Sequence, residues 1–547
     1  MRDAVLGSSR RAGVVGLAIT CGLALTLIVA SPVLGWFPVV RMSAIFAALL
    51  IAGCWAARPW CWTNEQWTRA AAWVPSRWAM LSGFAVLSAL LWWLVYSRFQ
   101  AGGIDAVDFT VYFDRPLYQT SQGRPHFVES TNEPRFAQLT HLAVHGYWLL
   151  VPISVVYRIY ASPLWLLSLS VAAVAAGAFY IYRIVERGGA AAVVAAAAAF
   201  AFAFDGNTAR ALNYGFHAEI LYAWFVPWAI YAGLRGARTE FLLAVLACLM
   251  VKEDAIFPLF AVSVALALIG GRAMSPGDRV IFLLAPTVLA LVNLAGFYLW
   301  VVPRLSPDGQ VMHANFWSTL GATPYEALLW PLRHPLRMMV AAATSGFFTL
   351  VLVSHWYLPV LGWRWIIGLL PFVVIYAVSD NAQIRGFGIY YSLPAIPFLT
   401  IGTAVGARRL ISWFRPGPRA EIAAAAVVLV TTVSTGLGYS LRPWKYELKA
   451  VPEALVRLHG YEEVLVQGGL YPHAGYDGHV QLLTPHDLRA REGKRVAILL
   501  GTRGSTYPLK QHEWKCLADL PSVPRMPDGL LAIPATPEAR RCMDEGR

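Results

Sequence analysis

The chain has 547 residues, of which 57% are hydrophobic and only 14% are charged. Soluble proteins carry about 25% charged residues, so this composition excludes a soluble protein and indicates an integral membrane protein in contact with lipid. The net charge of +13 is typical of membrane proteins whose cytoplasmic loops are rich in Lys and Arg. We therefore expect no nucleic-acid partner.

Apolar stretches long enough to span a bilayer occur along most of the chain. A spanning helix needs about 20 mostly apolar residues, and this measure predicts about thirteen spans. The pair 240–254 and 255–270 can also be read as one broken or re-entrant element. The predicted spans are 12–34, 42–57, 78–97, 162–183, 190–206, 217–234, 240–254, 255–270, 280–301, 337–354, 359–378, 390–407 and 420–440.

Basic residues give these spans an orientation. Arg10 and Arg11 precede the first span, so we expect a cytoplasmic N-terminus. Alternating from there puts almost every Arg-rich short loop on the cytoplasmic side, as positive charges in such loops require. Two long loops, 98–161 and 302–336, and the tail 441–547 then lie on the outside.

The spans and the tail define the predicted architecture, which is mainly α. We expect a transmembrane hairpin and cytoplasmic loop over 1–77 and a helical transmembrane bundle over 78–440. The tail 441–547 alternates short apolar runs with Gly and Pro turns, and the runs Glu463–Val466 and Val496–Leu500 are typical of buried strands. The tail is therefore predicted to be a small extracytoplasmic α/β domain.

The polar tail holds two of the six cysteines, Cys516 and Cys542. A disulfide between them is expected if the tail lies outside the cytoplasm, and two free thiols if it lies inside. The other cysteines lack the paired spacing of a zinc site. The sequence therefore assigns no residue to a metal.

The first outside loop carries three carboxylates within ten residues, Asp105, Asp108 and Asp114, directly after a predicted span. Carboxylates at a membrane face can act as a general base toward an acceptor hydroxyl, or can hold a divalent cation. They can also be solvated loop charges, or cap the first turn of an interfacial helix near 116–122. Spacing leaves these alternatives open.

Ionisable residues also occur inside apolar segments. His217 and Glu219 open one predicted span, and Lys252, Glu253 and Asp254 lie between two apolar halves. Such groups cost about 2.5–3.5 kcal/mol each at membrane depth and are rarely kept without a role. The lysine can form an internal ion pair with carboxylates, or can meet a phosphate.

Two further positions have both a structural and a functional interpretation. His145 precedes Gly146-Tyr147-Trp148, and Tyr391 starts another apolar run. Either can be an anchor in an aromatic belt at the membrane interface. His145 can equally contact a phosphate or an acidic partner.

The order of these motifs resembles that of a bacterial membrane-protein family called domain of unknown function 2079. The resemblance covers roughly residues 78–485 and includes Tyr390 where the family often has His. The matching motifs are Val107-Asp108-Phe109-Thr110-Val111, His145-Gly146-Tyr147-Trp148, Phe216-His217-Ala218-Glu219 and Lys252-Glu253-Asp254. Weaker matches are Leu320-Gly321, Tyr391 with Pro394 and Pro397, and Tyr471-Pro472-His473.

That family looks like a relative of the GT-C glycosyltransferases, so the resemblance implies a GT-C-like core in the bacterial inner membrane. It implies transfer of a sugar from a polyprenyl-phosphate donor to an unknown acceptor on the periplasmic face. Asp108 would be the base, with Asp105 as the fallback and Asp114 in support. The substrate-binding residues would be His145, His217, Glu219, Lys252, Glu253, Asp254 and Tyr391. No cofactor follows from it, and a divalent cation stays open.

Two other functions fit the same residues. A transporter or lipid flippase would use Lys252, Glu253 and Asp254 as an ion relay near the bilayer midplane. A non-catalytic scaffold for envelope assembly would use the outside domain as a docking surface. The scaffold predicts no loss of activity when Asp108 is changed, whereas the transferase predicts a large loss.

Overall fold

The computed structural model describes most of the chain between residues 75 and 544. The described residues are 68–69, 75–123, 140–306, 309, 314–321, 324–414, 417–435, 450–483, 491, 493–502, 506–527 and 529–544. The predicted spans 12–34 and 42–57 lie outside them, so they stay predictions, as do the domain limits and the total number of spans.

Most of the described chain is a helical bundle. Its longer helices are α1 (Arg77–Gln100), α2 (Leu150–Ile159), α3 (Leu164–Arg187), α4 (Ala192–Phe204), α5 (Tyr222–Arg235), α6 (Arg238–Val251), α7 (Ile256–Gly270), α8 (Ala285–Gly296), α9 (Pro324–Arg333), α10 (Pro335–Thr344), α11 (Ile396–Phe414) and α12 (Pro418–Thr435). Shorter helical segments join them, among them Ala106–Asp114, Arg115–Ser121, His141–Val144, Gly206–Tyr214, Ala218–Leu221, Glu253–Ala255, Phe347–Val351, Leu352–Ser354 and Ala382–Arg385.

Six helical segments of the described residues are long and apolar enough to cross a membrane. They are Arg77–Gln100, Leu164–Arg187, Ala192–Tyr214, Glu253–Ala273, Pro276–Leu305 and Pro335–Ser354. Each overlaps a span predicted from the sequence. The chain is therefore a membrane protein with a mainly helical fold, as predicted.

Small residues let the helices of the bundle approach closely. A Cβ atom added at Gly177 in α3 would lie 2.0 Å from the backbone oxygen of Ala223 in α5, so the two backbones are in contact there. The Ala-rich helix α4 packs beside α3 with most of its side chains buried. Close packing of small residues stabilises helix pairs in lipid, where water provides no driving force between helices.

The predicted span 359–378 is not one helix in the structure. It divides into short segments, Leu358–Leu361, Ile367–Leu369 and Leu370–Ala377. Pro371 lies in the first turn of the last segment, where its missing N–H costs nothing. In the interior of a continuous helix the same proline would remove a hydrogen bond and clash with the preceding turn.

The tail forms the small α/β region that the sequence predicts. Its strands are β1 (Glu463–Val466), β2 (Val480–Leu482), β3 (Val496–Gly501) and β4 (Leu530–Pro534), in the order β2-β1-β3-β4. β1 pairs in parallel with β2 and β3, with Val466 opposite Leu499, and β4 is antiparallel to β3. The flanking helices are Ala450–Arg457, Gln511–Ala518 and Pro537–Asp544.

A disulfide joins the last two helices of the tail. Cys516 and Cys542 are bonded, with their Cα atoms 5.5 Å apart. Of the two alternatives left by the sequence, the structure therefore contains the disulfide and not two free thiols.

The tail docks on the segment that carries the three aspartates. Ala106 and Val111 of the segment Ala106–Asp114 are buried in the same apolar cluster as β1 of the tail. Arg115 donates hydrogen bonds to the backbone oxygens of Val480 and Gly475, both at 2.9 Å. Because one face of this segment packs on the tail and Phe109 and Phe113 pack in the bundle, its position is set from both sides.

Candidate active site

The segment Ala106–Asp114 is a π-helix that begins where Asp105 caps it. The Asp105 carboxylate accepts the backbone N–H of Asp108 at 2.8 Å. Gly215 follows the helix Gly206–Tyr214 and has φ of +116°. A Cβ there would lie 2.8 Å from the side chain of Ile104, so glycine lets this turn lie against the residues that precede the π-helix. π-Helical turns are rare and often occur at functional sites.

Asp105 and Asp108 form a pair of half-buried carboxylates. Burial, and next the charge of Asp108, raise the pKa of Asp105 to about 6. The hydroxyl of Tyr390 lies 3.4 Å from Asp108 Oδ2 and donates to it. The capping role of Asp105 supports its structural interpretation, whereas Asp108 has no backbone N–H bonded to its carboxylate among the described hydrogen bonds.

Asp114 lies at the other end of the same π-helix and is buried. Its Oδ1 accepts the hydroxyls of Tyr157 at 2.7 Å and Tyr476 at 2.9 Å. Tyr157 belongs to the bundle and Tyr476 to the tail, so this carboxyl joins the two parts. Burial raises the pKa of Asp114 to about 6, against the lowering effect of both hydroxyls and of Arg115. Its contacts are structural.

Changing Asp114 to asparagine tests this interpretation through pH. An unfolded aspartate titrates near 3.9, so the folded state binds this proton more tightly. Wild type therefore gains stability relative to Asp114→Asn as the pH falls from 7 to 4, by up to about 3 kcal/mol. Denaturant unfolding of both proteins across this range measures the difference. Asp519→Asn, at an exposed position, is the control, and parallel curves for wild type and Asp114→Asn would contradict the interpretation.

Lys252 lies at a break between α6 and α7. Its backbone is extended, with φ of −165° and ψ of 157°, and a single 3₁₀ turn, Glu253–Ala255, follows before α7 begins. Its ammonium group donates to Glu219 Oε1 at 2.7 Å and lies 3.6 Å from Asp254 Oδ2. The apolar run predicted from the sequence is therefore broken at its charged residues.

A second break holds the partner of this lysine. His217 is also extended, with φ of −135°, and the 3₁₀ turn Ala218–Leu221 leads into α5. The second carboxylate oxygen of Glu219 pairs with His217 Nδ1. The ring of His217 stacks on that of Tyr390, with centroids 3.5 Å apart. Lys252, Glu219, His217, Tyr390 and Asp108 thus form a continuous row of contacts.

Glu253 turns away from Lys252 and binds His145. Its Oε1 lies 2.8 Å from His145 Nδ1, and its Oε2 accepts the backbone N–H of Gly146 at 2.9 Å. Of the two carboxylates that follow Lys252 in the sequence, Asp254 is therefore the one near its ammonium group. The backbone turn at Glu253 directs its side chain to the neighbouring loop.

Tyrosines surround the inner end of the cluster. Asp254 accepts the hydroxyls of Tyr222 at 3.1 Å and Tyr376 at 3.0 Å. The Tyr391 hydroxyl lies 3.4 Å from that of Tyr390, and its ring contacts Tyr376. Every site residue predicted from the sequence except Asp114 is therefore connected in one polar cluster.

This cluster holds five carboxylates, Asp105, Asp108, Glu219, Glu253 and Asp254, against one lysine and two histidines. In the part of the chain that the structure describes, three or more His, Cys, Asp or Glu side chains do not come together in a metal-binding arrangement. The arrangement can hold a proton or polarise a bound group.

Several tyrosines of the site were missed or assigned elsewhere from the sequence. Tyr390 looks like an interface anchor, and Tyr222, Tyr376 and Tyr476 lie in unremarkable runs. The position of Tyr390 beside Tyr391, where the resembling family often has His, was the available signal. The other three need the fold, because their partners are more than thirty residues away.

Family comparison agrees with the motifs. The family model described as "Predicted membrane protein (DUF2079)" matches residues 106–446, from the π-helix to beyond α12. The chain belongs to this family. Its matched region includes Asp108, His217 and Lys252, whereas Asp105 and the sheet of the tail lie outside it. No curated protein sequence matches the chain significantly.

Two solved structures show similarity over most of this DUF2079 chain. One is ArnT from Cupriavidus metallidurans bound to undecaprenyl phosphate, with 12% identity and a TM-score of 0.47, covering 84% of this chain and 99% of that one. The other is the arabinofuranosyltransferase AftD from Mycobacteria, with 16% identity and a TM-score of 0.37, covering 79% of this chain and 35% of that one.

Proposed function

We propose that this protein is a glycosyltransferase of the bacterial inner membrane that moves a sugar from a polyprenyl-phosphate donor to an unknown acceptor on the periplasmic face. The observation that carries the proposal is the row of contacts from half-buried Asp108 through Tyr390, His217 and Glu219 to Lys252. It joins a possible base to buried cationic groups within one site at the end of a membrane helix.

Asp108 is the proposed base. Two of the three aspartates have structural hydrogen bonds. The Asp114 carboxylate accepts two tyrosine hydroxyls, and the Asp105 carboxylate accepts the backbone N–H of Asp108. Asp108 is half-buried and accepts a long hydrogen bond from the Tyr390 hydroxyl at 3.4 Å and another from the Tyr214 hydroxyl. A carboxylate in this setting can accept the proton of an acceptor hydroxyl as that oxygen attacks the anomeric carbon.

The cationic side of the site would stabilise the leaving phosphate. Negative charge builds up on the phosphate as the sugar–oxygen bond breaks, and nearby fixed positive groups lower the energy of that state. Lys252 supplies this charge, and His145 and His217 lie in the same cluster. Glu219 holds the ammonium group and the His217 ring in place, and Glu253 holds the His145 ring. Asp254 and Tyr391 complete the polar lining of the inner end of the site.

Binding of undecaprenyl phosphate to the purified protein tests the proposal. At 100-fold over its dissociation constant, a ligand adds about 2.7 kcal/mol of stability, which thermal unfolding in detergent detects. We expect undecaprenyl phosphate to stabilise wild type, and undecaprenol and dioleoyl phosphatidic acid to do so much less. Together these two control lipids separate recognition of the phosphate from recognition of the polyprenyl chain.

A pair of histidine variants localises the effect. His145→Gln removes a side chain of the cluster that is 22% exposed, and we expect it to weaken the stabilisation. His512→Gln, on the surface of the tail helix Gln511–Ala518, is the matched control and should behave as wild type. Equal stabilisation by undecaprenol, or none by any of these lipids, would contradict the proposal.

A further inference from the structure

A small cavity with several polar lining residues lies in the bundle, apart from the cluster described above. It is lined by residues from the end of α4, the segment after α10, and helices α11 and α12, and it has room for about one water molecule. Its lining residues are Ala201, Asp205, Ser354, His355, Thr400, Thr403 and Thr431. Among these lining residues Asp205 and His355 are the ionisable ones.

Asp205 directs one carboxylate oxygen into this cavity. Its Oδ1 is occupied, because it caps the helix Gly206–Tyr214 by accepting the N–H groups of Asn207 at 2.8 Å and Thr208 at 3.4 Å. Its Oδ2 lies 3.8 Å from His355 Nε2, which is too long for a hydrogen bond. A carboxylate at membrane depth is costly unless it has a partner.

His355 presents a lone pair to the same space in its neutral form. Its Nδ1 lies 3.0 Å from the backbone oxygen of Val351, and a carbonyl can only accept, so Nδ1 carries the hydrogen. The Nε2 atom of a neutral imidazole is then an acceptor. With the imidazole neutral, the two groups that face each other across the cavity, Asp205 Oδ2 and His355 Nε2, are both hydrogen-bond acceptors.

The hydroxyls of α11 add to this imbalance. Thr403 donates its hydrogen to the backbone oxygen of Leu399 at 2.8 Å, so only oxygen lone pairs remain for the cavity. Thr400 Oγ1 is buried and has no hydrogen-bond partner among the described residues, and the residue is 1% exposed. A buried, unpartnered hydroxyl costs free energy unless something in the cavity binds it.

We infer that this cavity is a binding site for a small monovalent cation of the size of sodium. Oxygen lone pairs and one carboxylate surround a space that fits one small particle, and hard cations prefer such oxygen ligands. One carboxylate balances one positive charge, which disfavours a divalent ion. The inference is independent of the proposed transferase activity, because Asp205 and His355 have no part in it.

The test is thermal unfolding of the full-length protein in detergent at constant ionic strength and constant pH. Sodium chloride replaces N-methyl-D-glucamine chloride stepwise, and potassium chloride serves as the size control. We expect a saturable rise in Tm of about 2 °C with sodium at 100-fold over its dissociation constant. A smaller rise is expected with potassium.

Two variants assign the effect to the cavity. Asp205→Asn keeps an oxygen that can cap the helix but removes the charge, and should abolish the sodium dependence. Thr400→Val keeps the shape of the side chain and should weaken it, which provides a second test if the first variant folds poorly. A wild-type Tm that does not change with sodium, or that changes equally in both variants, would overturn the inference.

Discussion

We expect Lys252→Met to lower the free energy of unfolding by about 3–5 kcal/mol. The ammonium group is buried and binds Glu219 at 2.7 Å, with Asp254 at 3.6 Å. Methionine has a similar length and fills the space, but it removes the ammonium group that pairs with buried Glu219 and lies near half-buried Asp254. Removing one partner of a buried ion pair is far more costly than the net gain from forming it, because the remaining charge stays desolvated.

Two further variants make this result specific. Glu219→Gln in the Lys252→Met background removes the buried carboxylate that has lost the Lys252 ammonium group. The double variant should therefore recover part of the lost stability. Arg238→Met breaks an exposed pair with Asp278, in which the arginine side chain is 55% exposed, and should cost much less because solvent screens the pair. If Lys252→Met costs no more than Arg238→Met in denaturant titrations, Lys252 is not the buried counter-charge of this site.

We expect Asp108→Asn to lower the rate of sugar transfer by about 10²–10⁴-fold, the usual contribution of a general base. Asparagine has nearly the same shape and can still accept the Tyr390 hydroxyl, so the π-helix should keep its packing. It cannot accept a proton from an attacking hydroxyl at neutral pH. Initial rates of transfer by the two purified proteins measure the ratio.

A neighbouring variant separates catalysis from structure. Asp114→Asn changes the same π-helix at its other end, where the carboxyl holds Tyr157 and Tyr476, and its rate should stay within a few-fold of wild type at pH 7. Thermal stabilisation by undecaprenyl phosphate should persist in Asp108→Asn. Equal rates for wild type and Asp108→Asn would exclude Asp108 as the base and favour a scaffold.

Composition and local pattern were sufficient to predict the fold class. Long apolar runs identified a membrane bundle, and the apolar runs around Val464 and Ile498 identified strands of the tail. Interruptions of the helices were harder to predict. The extended backbone at Lys252 accompanies an ion pair with Glu219, which lies 33 residues earlier in the chain. The short segments of 359–378 pack closely on α11, where a Cβ at Gly362 would lie 2.6 Å from the backbone oxygen of Gly402.

The candidate site was predictable in its charged residues and not in their pairing. Ionisable groups in apolar runs are conspicuous, so His217, Glu219 and Lys252 were identified directly from the sequence. The contacts among the charged residues were not identified. Glu253 contacts His145, and Asp254 contacts two tyrosines, because the helix is broken at Lys252. Asp205 and His355 were not identified from the sequence, because 150 residues of chain separate them.

Turnover tests most directly whether this site consumes a polyprenyl-phosphate-linked sugar. Wild-type protein reconstituted in liposomes is incubated with lipid-linked sugars and acceptors extracted from bacterial envelopes, and free undecaprenyl phosphate is followed by mass spectrometry. We expect wild type to release undecaprenyl phosphate, and Asp108→Asn to release it at least about 100-fold more slowly. A wild-type protein that undecaprenyl phosphate stabilises, yet that leaves the lipid-linked sugars unchanged, would contradict the proposed transferase activity.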